Sequence, residues 1–378
     1  MKKLHFFICL LSLATMSMSA GTLRLKGKLA MKGDTVEVRL FDVVSGKPSF
    51  SGVAVAKGGS FSIDLEMEKV CYLALTYWAP TGDRQENMSF TAVPDETLQI
   101  DATAEGIKVS GSKFYTDYQA FDEFNRSYMD KWAAMSKDFN AKMADKKTDK
   151  DSLKKVIGNC REALNKEISE KAIAYIKANS TSDVAVVMLN NVHCMQTAEA
   201  AKLLSEQTRN GRMKEYCDVT VRNAQKKAIR LEAEKNLKEG STVPDFALAD
   251  RNGKKIRLSE LRGKHVVIDF WGTWCGWCIK GMPEMKKYYE KYNGKLEILG
   301  IACNDKEEKW KQTLDKLQLP WLNVINDADT DVTALYDVKG YPTKIVIDPQ
   351  GRMLKRVEGE SPDFYTFIDK ELGGGNPE

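Results

Sequence analysis

A chain of 378 residues, 43% hydrophobic and 29% charged, has room for two or three domains, because single cores rarely grow past roughly 250–300 residues. That composition excludes a collagen-like chain, a largely disordered one and a multi-span membrane protein. The formal charge of +4 falls to +2 once Lys2 and Lys3 are set aside with the leader described next. Such a balanced surface gives no reason to expect nucleic acid or an anionic membrane as partner.

Residues 1–20 read as a secretory signal peptide: Lys2 and Lys3, an apolar run over 4–14, then small residues from Ser17 to Gly21. The run is shorter than the ~20 residues of a spanning helix. A cut after Ser19 or Ala20 is expected, which exports the chain to the periplasm; an uncleaved signal retaining it at the membrane is the alternative. Cys9 follows bulky Phe7 and Ile8, so it is not read as a lipidation site.

Residues 21–111 read as a β-rich, sandwich-like domain. Short runs at 22–29, 35–41, 52–56, 60–65, 70–78, 98–101 and 107–109 alternate or stay apolar, with turn signals such as Gly33-Asp34 and Gly58-Gly59 between them. Residues 112–239 read as an all-α region. No proline and only Gly158 and Gly211 interrupt it before Lys238, and Tyr118, Phe121, Phe124, Tyr128 and Trp132 recur at helical spacing. Further helices are expected over 151–178, 183–192, 198–207 and 213–237. The charged run Asp145-Lys146-Lys147 reads as a solvated loop. The Gly240-Ser241-Thr242-Val243-Pro244 stretch marks a boundary, and 240–378 alternate strand and helix as one α/β domain. Strands are expected over 266–271, 296–302, 322–325, 343–347 and 353–357, and helices over 278–292 and 306–317; Ser361-Pro362 caps a last helix.

The chemistry concentrates in Trp271-Gly272-Thr273-Trp274-Cys275-Gly276-Trp277-Cys278, which follows a strand and opens a helix. Two residues between cysteines at a helix start allow the sulfurs to bond, and the helix N-terminus favours a thiolate on the first. Cys275 is the expected attacking residue and Cys278 the resolving one. Zinc needs two more ligands, and no second Cys-x-x-Cys exists. Attached haem needs His after Cys278, where Ile279 stands. No metal or cofactor is therefore expected; a static structural disulfide stays open.

The ordered set Val243-Pro244-Asp245-Phe246, Gly253-Lys254, Leu258-Ser259-Glu260-Leu261-Arg262-Gly263-Lys264 and Phe270-Trp271-Gly272-Thr273-Trp274-Cys275 resembles the exported TlpA/ResA-like branch of the thioredoxin superfamily, over about residues 240–372. The resemblance implies a thioredoxin-like fold and a thiol-disulfide oxidoreductase that reduces protein disulfides and draws electrons from a membrane or periplasmic donor. It implies that Pro283 kinks the active-site helix, that the bond before Pro342 is cis, and that Tyr341 offers its backbone to an extended substrate segment. Asp269 matches the buried acid of the superfamily, with burial raising its pKa and letting it exchange a proton with Cys278; a satisfied structural Asp is the alternative. Trp274, Trp277 and Tyr341 are expected to form an apolar rim for substrates, or else to pack. Gly276 and Trp277 depart from the family's usual intervening residues, so the potential is left open. The β-rich segment and the helices from Tyr115 loosely resemble a domain of unknown function that precedes such modules, which implies a recognition or positioning role.

Cys303 is expected to be a buried thiol and His193-Cys194 a core pair. Among Cys160, Cys194 and Cys217 one disulfide is allowed; Cys71 completes the set. Two other functions stay open: a peroxidase on the same scaffold, whose usual proline- and threonine-bearing loop is not matched, and a non-enzymatic binding module stabilised by the cysteine pair.

Overall fold

The structure, a computed structural model, describes residues 20–103, 106–145, 149–327 and 330–374. Residues 1–19 of the expected leader, Cys9 among them, and the Lys146-Lys147 pair lie outside the described residues. The chain divides into two compact units, Met1–Ala224 and Gln225–Glu378.

The first unit opens with eight strands: β1 (Gly21–Leu29), β2 (Lys32–Asp42), β3 (Pro48–Val55), β4 (Ser60–Met67), β5 (Cys71–Trp78), β6 (Gln85–Ala92), β7 (Thr97–Thr103) and β8 (Gly106–Gly111). They form two four-stranded sheets, β4-β1-β7-β8 and β3-β2-β5-β6. In β1 the period-two rule is plain: Leu23, Leu25 and Leu29 are buried while Arg24, Lys26 and Lys28 face out. Gly27 alternates with them because it lies opposite Phe61, whose ring would meet a Cβ at 2.2 Å. Strand β6 was not expected from the sequence. Its polar start, Gln85-Glu86-Asn87, is tolerated at a sheet edge, where only one side pairs.

Six helices follow: α1 (Lys113–Ala144), α2 (Lys150–Ala178), α3 (Asp183–Met188), α4 (Thr197–Ala201), α5 (Glu206–Arg209) and α6 (Lys214–Asn236). The helical stretch shares its core with the sheets: Phe114, Tyr115, Tyr118, Val186 and Met188 belong to the same buried cluster as Leu25, Leu73 and Phe90. The Tyr115 hydroxyl donates to the Thr91 carbonyl at 2.9 Å. The helix expected over 198–207 is instead two short ones, because Ser205 turns out of the helix and caps α5 by accepting from the Thr208 N–H. The helix expected over 183–192 ends at Met188 and continues as a single 3-10 turn. His193-Cys194 is not a core pair: Cys194 is buried, but His193 is exposed. Cys71, Cys160, Cys194, Cys217 and Cys303 are all free thiols, so the allowed disulfide in the helical region is not made.

The second unit holds β9 (Ala247–Asp250), β10 (Lys255–Arg257), β11 (His265–Trp271), α7 (Gly276–Lys291), β12 (Leu296–Ala302), α8 (Glu307–Leu317), β13 (Leu322–Ile325), α9 (Val332–Leu335), β14 (Thr343–Ile347), β15 (Met353–Glu358) and α10 (Pro362–Leu372). Its seven-stranded sheet runs β10-β9-β13-β12-β11-β14-β15, with β11 parallel to β12 and antiparallel to β14. Both faces are covered, so β11 is apolar at every position from Val266 to Trp271 except Asp269. Val266, Ile268 and Phe270 join one core with Leu299, Ile301 and Tyr336. Val267 and Trp271 join the other, with Met282 of α7, Trp310 of α8 and Phe364 of α10. By the same alternation Asp269 faces α7 and α10.

Candidate active site

The cysteine pair sits where β11 hands over to α7. Cys275 is the N-cap residue of that helix, and its sulfur accepts from the Cys278 N–H at 3.2 Å. The two sulfurs are bonded to each other. The approach from β11 is fixed by a carboxylate and an indole. Asp305, in the loop after β12, accepts from the Thr273 N–H at 2.8 Å and from the Thr273 hydroxyl. Trp274 folds back so that its indole N–H donates to the Cys303 carbonyl at 3.0 Å. Glycine is required at 272 for this fold-back, since a Cβ there would come 2.6 Å from the Trp274 ring nitrogen.

Around the pair, the Tyr341-Pro342 bond is cis. The Tyr341 ring meets Trp274 edge-on at 5.1 Å. Trp277 makes a different contact: the Lys280 ammonium lies 4.8 Å from its ring centroid. Trp274 and Trp277 are 49% and 66% exposed, whereas Cys275 and Cys278 keep only 6% and 4%. The bonded pair is thus more covered than the sequence reading expects, because Trp271, Met282 and the Tyr341 side chain pack in the cluster that holds both cysteines. Pro283 lies inside α7, which continues on both sides of it.

Asp269 is buried in the middle of β11, opposite Lys344 of β14. Burial pushes its carboxyl up to about 6; the Lys344 ammonium pulls it down and Glu360 pushes it further up. The Lys344 nitrogen is 3.9 Å from Asp269 Oδ1 and donates to Glu360 Oε2 at 2.7 Å. Asp269 Oδ1 accepts no hydrogen bond among the described residues. Sequence reasoning missed Lys344, Glu360 and Asp305. The available signal was a lysine inside Thr343-Lys344-Ile345-Val346-Ile347, where a charge has no place unless it is paired.

Other residues of the recognised pattern serve the scaffold. Asp245 accepts from the N–H and the hydroxyl of Ser259, each at 2.9 Å. The Tyr336 hydroxyl donates to the Pro244 carbonyl at 2.5 Å. Cys303 is wholly buried, and burial pushes its thiol up to about 12, so it packs as an apolar group. No group of three His, Cys, Asp or Glu side chains gathers to hold a metal ion among the described residues.

The similarity to known proteins falls on the C-terminal part of the chain. The AhpC/TSA family model matches residues 240–356. The thiol-disulfide oxidoreductase ResA of Bacillus subtilis is 36% identical over 125 residues, 33% of this chain and 69% of that protein. The protein of the same name from Bacillus cereus is 37% identical over 122 residues, 32% of this chain and 70% of that one. Among solved structures, the thioredoxin domain of a thiol-disulfide oxidoreductase from Bacteroides vulgatus aligns with 36% of this chain and 99% of its own, at 29% identity and a TM-score of 0.34. Through its C-terminal α/β unit, the chain belongs to the ResA-like, thioredoxin-fold thiol-disulfide oxidoreductases.

Proposed function

We propose that this oxidoreductase is an exported reductant of protein disulfides that works through Cys275 and Cys278. One observation carries the reading: the two sulfurs are bonded at the N-terminus of a 16-residue helix. When that bond is reduced, the Cys278 N–H that now points at Cys275 Sγ, together with the helix dipole, stabilises a Cys275 thiolate. The thiolate attacks a substrate disulfide; a mixed disulfide forms and one substrate sulfur leaves as a thiolate that takes a proton from solvent. Cys278 then gives its proton to the Asp269 carboxylate and attacks Cys275 Sγ. The Cys275–Cys278 bond forms, the mixed disulfide breaks, and the second substrate sulfur leaves and is protonated. The substrate gains two electrons and the enzyme dithiol loses them.

Trp274, Trp277 and Tyr341 form the apolar margin against which a substrate segment lies, and the backbone of Tyr341 before Pro342 pairs with that segment as an added strand. The exposure of the two indoles supports this reading. A membrane or periplasmic dithiol donor returns the enzyme to its reduced form, and the basic, apolar leader at 1–20 directs the chain to that compartment.

Cys275→Ser should abolish reduction of a disulfide-bonded test protein, and Cys278→Ser should accumulate mixed disulfides visible on a non-reducing gel. Full activity in Cys275→Ser overturns the assignment. Equilibrating the pair against glutathione fixes the direction: a potential well below that of glutathione supports a reductant, one well above it an oxidant. Cell fractionation tests export.

A further inference from the structure

Asp269 is not the only ionisable group on the sheet face that carries the dithiol. Its neighbours across the sheet are Gly300 on β12 and Lys344 on β14. Lys344 is 1% exposed, and its ammonium also lies 5.6 Å from the Phe364 ring centroid of α10. Glu360, in the turn before α10, meets that ammonium at 2.7 Å and accepts from the Tyr365 hydroxyl at 2.9 Å. The space for the Glu360 carboxylate exists because residue 281 of α7 is glycine: a Cβ there would lie 2.5 Å from the carboxylate. One buried lysine is therefore shared unequally between two carboxylates, and the nearer is the one with access to solvent, its side chain being 19% exposed.

We infer that Lys344 and Glu360 are positioning residues for Asp269: Glu360 draws the ammonium to itself and so preserves Asp269 as a proton acceptor for Cys278. The inference rests on the reading that Asp269 takes the Cys278 proton. A carboxylate in full contact with a lysine is a weak base, and a proton acceptor works best when its affinity for the proton lies near the working pH. Holding Lys344 at 3.9 Å rather than in hydrogen-bond contact neutralises part of the buried charge without removing its basicity. The ionisable groups on the same face as Asp269 are Lys344 from β14, Glu360 from the turn and Tyr365 from α10, with Cys278 on the α7 side; Cys303, after β12, packs in the core of the opposite face. Of these, Lys344 alone is cationic, so its division between the two acids decides the balance.

The test is the pH profile of the resolving step. Reduced full-length protein in a Cys160→Ser background, which removes the exposed free thiol, is mixed with an aromatic disulfide in a stopped-flow instrument. Release of the second aromatic thiol reports attack by Cys278. Glu360→Gln frees Lys344 to close on Asp269, so the acid limb of the profile should move down by about one pH unit and the plateau rate should fall. Lys344→Gln removes the cation and should move the limb up by a similar amount. Asp269→Asn should erase the limb. If Asp269→Asn erases it while Glu360→Gln leaves it in place, the positioning role is wrong and the proton role stands. If Asp269→Asn leaves it in place, the proton role itself is wrong. Glu360→Gln decides the matter alone should Lys344→Gln not fold.

Discussion

Glu96 in the first unit and Asp269 in the second are both buried carboxylates, and the two are treated differently. In the first unit Glu96 is 9% exposed; it accepts from the Ser112 hydroxyl and pairs with Arg212 at 2.6 Å, which also holds Asp183 at 2.7 Å. Its charge is answered by direct contacts. In the second unit Asp269 has its one cation at 3.9 Å and an oxygen that accepts no hydrogen bond among the described residues. Leaving a buried polar group partly unanswered costs stability. Groups of this kind cluster at functional sites, and Asp269 lies on the sheet face that carries the dithiol. Glu96 shares its surroundings with no bonded cysteine pair, and its contacts tie β7 to the helices as structure.

Three substitutions break or sharpen that contrast. The largest effect is expected from Asp269→Asn. The carboxyl is raised from 3.8 to about 6 in the folded chain, so the folded state binds its proton more tightly than the unfolded state. That contribution to stability is fully present below about pH 4 and is lost as pH rises through about 6. At pH 7 the ionised group is a net cost, and Asp269→Asn should raise stability by about 2–3 kcal/mol while slowing the resolving step. Urea unfolding at pH 7 and at pH 3.5 checks the sign: the gain should vanish at the lower pH. Loss of stability at pH 7 would mean that the carboxylate is as well satisfied as Glu96.

Glu96→Gln should do the opposite. It leaves Arg212, which is 43% exposed, with Asp183 as its remaining partner, so stability should fall by about 1–2 kcal/mol. Disulfide exchange by the other unit should be unchanged in the same assay. The smallest effect on folding is expected from Trp277→Ala. At 66% exposed, its loss should change stability by no more than about 0.5 kcal/mol. The KM for a protein disulfide should rise several-fold, while a small aromatic disulfide, which needs no margin to lie on, should be turned over as before. Equal loss with both substrates would place Trp277 in the exchange step rather than in binding.

Much of the C-terminal unit was legible because its elements are bounded by strong local signals. The strands at 296–302 and 322–325 and the helix after Ser361 fall where apolar runs, turn residues and a Ser-Pro cap place them. The dithiol was legible because four consecutive residues carry it. Lys344 and Glu360 were not. They are 75 and 91 positions beyond Asp269 in the chain, and only the antiparallel pairing of β11 with β14 and the packing of the turn before α10 bring them to it. Strand β6 and the breaks at Met188 and Ser205 escaped for a related reason: an edge position and a side-chain cap decided them, against the local pattern.

From its order of residues alone this protein had a paired-cysteine motif at a strand-to-helix junction, an acid inside an apolar strand and an α/β alternation in its last third, since these depend on neighbours within a few positions. Tertiary structure decided that the β-rich and helical stretches share one core, that the cysteine pair is mostly covered while Trp274 and Trp277 stay exposed, and that one buried lysine serves two acids. Those outcomes depend on which side chains meet across sheets and helices far apart in the chain, and hydrophobic burial, being non-directional, leaves that to the packing of the whole.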